Sequence, residues 1–177
     1  MNKKEYYRVK FDIIGATPLV FNKYLPSNGN PRQPSVQYLE ENFHLKAHTD
    51  KKGIMQIPGP SIRNCIYASF LNNRKYKNLV RDGLLCVKDF VSLGVRAKKA
   101  ERFTMVLMTN RIAVKRNYPM LKNWRGKVEL LVDDKIPSSV LEKYIRQAGI
   151  FQGLLHLRPA VNGPCGRFEV RNYRVEK

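Results

Sequence analysis

Apolar residues recur at every second position in some stretches of this chain and at every third or fourth in others. The order of those stretches narrows the fold more than any other feature. From Tyr6 to Ile14 the alternation is unbroken, with Tyr7, Val9, Phe11 and Ile13 on one face and Tyr6, Arg8, Lys10 and Asp12 on the other. That is a half-buried strand, ended by Gly15 and Pro18. Residues 22–37 hold three prolines, three asparagines and Gly29, and read as loop. A short helix-like piece follows from Val36 to Ala47, then a turn at Gly53. The prolines of Ile57-Pro58-Gly59-Pro60-Ser61 suit a first helical turn. Ile62, Cys65, Ile66, Ser69 and Phe70 then recur at helical spacing until Asn72-Asn73-Arg74.

Leu84 to Val95 reads as strand, Arg96 to Arg102 as a basic turn, and Phe103–Met108 and Arg111–Val114 as extended. Val128 to Val132 is a short apolar strand. Ser139 and Glu142 form an S-x-x-E capping box before a helix with the stripe Val140, Leu141, Tyr144, Ile145 and Ala148, and Gly149 is placed as its C′ residue. A glycine-bearing loop spans 153–166, and Phe168 to Val175 returns to period two. With the excursion removed, the order is strand, helix, strand, strand, helix, strand. It implies an α+β, ferredoxin-like or RRM-like βαββαβ antiparallel sheet with two helices on one face. We expect a single domain over 1–177, with 22–58 as an inserted flap and 84–110 as a second candidate insertion.

The 33 Lys and Arg against 14 Asp and Glu give a net charge of +19 and a pI near 10.1. Such a charge points to a polyanionic partner, nucleic acid first and an anionic membrane surface second. No run approaches 18 apolar residues, which argues against a membrane span. Met1 to Glu5 leads straight into the first strand pattern, so no secretory signal is expected and a cytoplasmic location is. Cys65, Cys86 and Cys165 are odd in number and widely spaced, and read as reduced thiols. His44, His48 and His156 include an i, i+4 pair but no H-E-x-x-H. Neither a metal site nor a cofactor is expected.

Three segments carry a family resemblance: Gly15-Ala16-Thr17-Pro18-Leu19 after the first strand, Ile57-Pro58-Gly59-Pro60-Ser61-Ile62-Arg63-Asn64 at the helix start, and Gly153-Leu154-Leu155-His156 through Gly163-Pro164-Cys165-Gly166-Arg167-Phe168 before the last strand. Together they resemble the RAMP proteins of CRISPR systems, most of all the backbone subunits that polymerise along guide RNA. Pro60 stands where a small residue is usual, Asn64 replaces a typical glycine, and the loop lacks a dense G-x-G run, which leaves room for a remote, phage- or plasmid-borne relative. The resemblance implies a guide-RNA-binding scaffold that assembles head to tail, with other effector subunits as further partners.

The residues themselves point to nucleic acid. A helix N-terminus offers amides and a positive dipole end, so Ser61 with Arg63 and Asn64 is a candidate phosphate seat. The loop carries His156, Arg158 and Arg167 on a backbone able to approach a ligand. Residues 88–127 hold eleven cations (Lys88, Arg96, Lys98, Lys99, Arg102, Arg111, Lys115, Arg116, Lys122, Arg125 and Lys127) against Asp89 and Glu101, a net of +9 in forty residues. Of these, Lys98, Lys99, Arg102, Arg111, Lys115 and Arg116 are taken as phosphate contacts. Phe103, Tyr118 and Trp124 are interleaved as stacking candidates.

No catalytic residue is assigned, and an enzyme is the weaker expectation. The alternatives are a metal-independent RAMP-type endoribonuclease using a histidine, target cleavage through Asp50, and a single-stranded DNA coating or annealing protein. RNA is the partner the resemblance implies. The sequence does not choose RNA over DNA, since 2′-hydroxyl contacts leave no compositional trace.

Overall fold

The computed structural model describes residues 5–25, 35–109 and 111–176, so most of the Pro/Asn-rich stretch, residues 26–34, lies outside the described residues. Its centre is a four-stranded antiparallel sheet built from β1 (Tyr6–Gly15), β4 (Leu84–Cys86), β8 (Arg125–Asp133) and β9 (Phe168–Glu176), in the order β4-β8-β1-β9. α2 (Gly59–Ser69) lies between β1 and β4 in the chain, and α4 (Ser138–Gln147) between β8 and β9. This is the ferredoxin-like βαββαβ arrangement read from the periodicities.

The inward face is the one the alternation named. Val9, Phe11 and Ile13 of β1 meet Val128, Leu130 and Val132 of β8, Phe168 and Val170 of β9, Ile62 and Ile66 of α2, and Leu141 and Ile145 of α4. Each such side chain contributes about 1.5–3 kcal/mol by leaving water. The outward face of β1 carries Arg8, Lys10 and Asp12.

Both helices depart from expectation at their ends. α4 begins at Ser138 after the N-cap Pro137, which has no side-chain acceptor, so Ser139 sits two residues too far in and the capping box is not made. Glu142 instead accepts from Arg146 at 2.7 Å. Gly149 is not the C′ residue. The helix runs on through a π-turn, Ala148–Gln152, and Gly153 closes it at φ +65°. Gly149 lies so close to the Phe168 carbonyl that a Cβ would strike it. A short helix, α3 (Lys77–Gly83), follows Asn73, whose Oδ1 accepts from the Lys75 and Tyr76 amides at 3.1 Å.

Two excursions leave this sheet and join each other. The first, between β1 and α2, contains β2 (Leu19–Val20), α1 (Ser35–Glu41), a 3-10 turn at Phe43–Lys46 and β3 (Ile54–Pro58). The second runs from 87 to 124, after the three β4 residues, and contains β5 (Phe90–Arg96), a 3-10 turn at Ala97–Lys99, β6 (Glu101–Thr109) and β7 (Ile112–Leu121). β3 pairs with β5, and β2, β7 and β6 form a three-stranded sheet in that order. Met55 and Ile57 of β3, at the end of the first excursion, are fully buried in the main core.

Candidate nucleic-acid interface

The three motif segments, far apart in sequence, meet in space. The Gly166 N–H donates to the Pro18 carbonyl at 2.7 Å, and the Arg167 N–H to Thr17 Oγ1 at 2.9 Å. Within the C-terminal loop the Leu154 N–H donates to Gly166 and the Cys165 N–H to Leu157, both at 2.9 Å. Gly166 has φ +76°, and a Cβ there would collide with the Leu154 carbonyl, so glycine is required by conformation and by space. The loop then lies against α2, enclosing a cavity of about 200 Å³ lined by Ser61, Asn64, Cys65, Gln152, Gly153 and Arg158, among others.

Capping sets which donors α2 offers there. Of the four amides at its start, Pro58 and Pro60 have none and Gly59 donates to the Asp89 carbonyl at 2.7 Å. Ser61 is left as the residue with a first-turn N–H to offer. Arg158 is held beside it by a 2.9 Å bond to the Leu155 carbonyl that uses one guanidinium nitrogen. The cavity thus combines one helix amide, a hydroxyl, an amide side chain and a guanidinium, a set suited to a phosphate oxygen.

The other sequence-selected residues divide by their partners. Arg63 reaches back to the Leu84 carbonyl at 3.0 Å and to the Arg81 carbonyl, so it ties α2 to α3 and β4. Arg167 donates to Ile150 at 3.1 Å and Pro164 at 3.4 Å, both carbonyls. Lys98, Lys99, Arg111 and Lys115 are exposed on the β5–β6 turn and the β6–β7 hairpin. Arg102 is also exposed, and its guanidinium sits 5.0 Å from the centre of the Phe43 ring. His156 is half-buried against Tyr118, with ring centres 4.8 Å apart. Its imidazole is pushed below the ordinary value by burial, then by Arg158 and Lys46.

The interleaved aromatics are not a stacking platform. Tyr118 and Trp124 are buried at 5% and 4% exposure, and Phe103 is half-buried. Asp50 serves a turn, where its Oδ1 accepts from the Lys52 and Ile54 amides at 2.8 Å. Asp133 does likewise for Lys135 at 3.0 Å. Sequence reasoning missed Lys46, which is 5% exposed and joins the two excursions. Its ammonium donates to the Asn117 carbonyl at 2.7 Å, lies 3.7 Å from Glu40 Oε1 and sits over the Tyr118 ring at 4.8 Å. Glu40 Oε2 accepts from the Asn117 N–H at 2.7 Å, and Arg116 approaches Glu40 at 4.0 Å. Nothing in the spacing of Glu40, Lys46 and Arg116 marks them as a cluster.

Among the described residues no helix is long and apolar enough to cross a membrane. No protein-family model matches this chain. A comparison with curated proteins likewise returns no match. Among solved structures, the chain is similar to one from a Type III-B Cmr-beta assembly determined by cryo-EM with cognate target RNA bound. The TM-score is 0.68 at 10% identity, over 98% of this chain and 61% of that one. The likeness is one of fold, and this chain spans about three fifths of the length of its neighbour.

Proposed function

We propose that this chain is a RAMP-type backbone protein that binds single-stranded RNA through its phosphates and assembles head to tail along the strand. The observation that carries this reading is the packing of the 153–168 loop against both other motif segments, hydrogen-bonded to 17–18 at one end and forming the Ser61–Arg158 cavity with 57–64 at the other. A net charge of +19 and the exposed cations of the hairpin supply the sequence-independent attraction such binding needs. The solved neighbour, itself part of an assembly holding RNA, supports the same direction. In this reading 1–177 is one RAMP-like unit, its two excursions forming a lobe that reaches a neighbouring copy. A heterologous contact that does not close builds an open filament. Light scattering tests this: the mass should grow in regular steps with RNA length, and a closed dimer indifferent to RNA length would refute it.

A second reading, metal-independent RNA cleavage, is favoured by one observation. His156 is kept neutral and stands against Tyr118 with Lys46 and Arg158 near, as a general base would be. Labelled single-stranded RNA incubated without metal should remain intact. Cutting that disappears in His156→Ala would promote this reading over the scaffold.

A further inference from the structure

The outward face of the four-stranded sheet holds its cations in two states. Some are neutralised on the sheet itself: Arg8 pairs with Glu129 at 2.9 Å, Lys10 with Glu176 at 2.7 Å and Arg171 with Glu169 at 2.9 Å. Others, Lys88, Arg125, Lys127 and Arg174, are exposed and make no ion pair among the described residues. Lys127 stands directly opposite Asp12 in register, yet Asp12 Oδ2 accepts from the Asn172 side-chain amide instead, at 2.6 Å. Asn172 sits at φ +52°, where the β1–β9 register slips.

β5 stands beside this part of the sheet as a wall. Between wall and sheet is a cleft of about 1090 Å³, whose lining includes Ile14, Phe90, Trp124, Lys88, Arg125 and Lys127. An annex of about 180 Å³ adjoins it and shares Asp12, Lys88, Lys127 and Asn172 with it. The cleft has no lining residue in common with the Ser61–Arg158 cavity. Phe90 and Ile14 are 46% and 41% exposed, a large apolar offer beside unpaired cations. A simple anion would not need the apolar surface, and an apolar ligand would leave three cations unmatched. A nucleotide uses both.

We propose that this cleft is a nucleotide-binding site. The phosphate lies between Lys88 and Lys127 at the annex, the base lies against Phe90 and Ile14, and the Asp12–Asn172 pair faces its polar edge. The inference stands apart from strand binding at the Ser61–Arg158 cavity and holds or fails without it. The occupant is either a free nucleotide or one unit of a strand.

Trp124 is the only tryptophan in the chain and lines the cleft, so its fluorescence reads occupancy directly. The protein is titrated with adenosine and uridine monophosphates, with adenosine, inorganic phosphate and a dinucleoside monophosphate as companions. Both nucleoside monophosphates should give a saturable change. Adenosine alone and phosphate alone should bind at least about tenfold more weakly, the loss expected for a missing charge-assisted contact. Lys88→Ala and Lys127→Ala, both at exposed positions, should each weaken nucleotide binding by about tenfold. Equal binding of the dinucleoside monophosphate assigns the site to a unit within a strand, weaker binding to a free or terminal nucleotide, and either supports the proposal. No saturable change, phosphate alone matching the nucleotides, or a response untouched by Lys88→Ala and Lys127→Ala would overturn it.

Discussion

Lys46 donates its ammonium to the Asn117 carbonyl at 2.7 Å across 71 residues of sequence. One residue belongs to the excursion after β1 and the other to β7 of the hairpin, so this bond, with Glu40 bridging both, makes one lobe of two insertions. A charge 5% exposed needs such partners, because an unpaired buried ammonium is strongly disfavoured. Its ammonium is accordingly less basic than usual, through burial first.

Replacing Lys46 by Ala leaves the Asn117 carbonyl and Glu40 without their cation. We expect a loss of about 2 kcal/mol, read from the urea midpoint. Lys46→Met, which keeps the apolar stem against Tyr118, should recover part of it. An unchanged midpoint in Lys46→Ala would mean that the lobe does not depend on this link.

Gly166 and Gly53 share nearly the same backbone angle, φ +76° and +75°, but not the same surroundings. A Cβ at Gly53 meets nothing within 4 Å, whereas at Gly166 it strikes the Leu154 carbonyl. Gly53→Ala should cost about 1 kcal/mol and Gly166→Ala about 2 kcal/mol more. Equal losses in thermal or urea unfolding would contradict the close approach of the loop.

The histidines set a pH window. His156 and His48 are both pushed below 6.5, by burial first, then by Arg158 and Lys46 for His156 and by Lys23 for His48. Unfolded imidazoles take up protons near 6.5 that the folded ones refuse, so stability falls as pH drops through that value. The decline should be smaller in His156→Asn. A urea midpoint that rises on acidification through this range would contradict the assignment.

The central sheet was legible because β1, α2, α4 and β9 keep one period over enough residues to show it. What was hidden has a common cause. Arg63 and Arg167 look like phosphate ligands by type, but their acceptors are backbone carbonyls at Leu84, Arg81, Ile150 and Pro164, and no residue code reports a carbonyl. α3 offers only Leu79 and Val80 as apolar neighbours, too few to show a period. Residues 54–58 follow a turn at Gly53 and run into prolines that read as a helix start, yet Met55 and Ile57 reach the core as part of a strand because β3 pairs with β5, 30 and more residues away. The meeting of Ser61 with Arg158 was likewise invisible, since it depends on the π-turn and Gly153 turning the loop back over α2.

Replacing Lys98, Lys99 and Arg102 together with Ala should weaken binding of single-stranded RNA equally for all sequences, because phosphate contacts position rather than specify. The slope of log affinity against log salt should fall by about 2, at about 0.7 per lost contact. A loss confined to some sequences, measured by filter binding, would show that these side chains read bases.

The salt dependence of the intact protein tests the central claim most directly. With six or more phosphates neutralised at about 0.7 per contact, affinity for single-stranded RNA should fall by at least about 300-fold between about 50 and 200 mM salt, as counterions released on binding become harder to release. An affinity that stays flat across that range would contradict a phosphate-binding strand protein, whatever the chain's net charge.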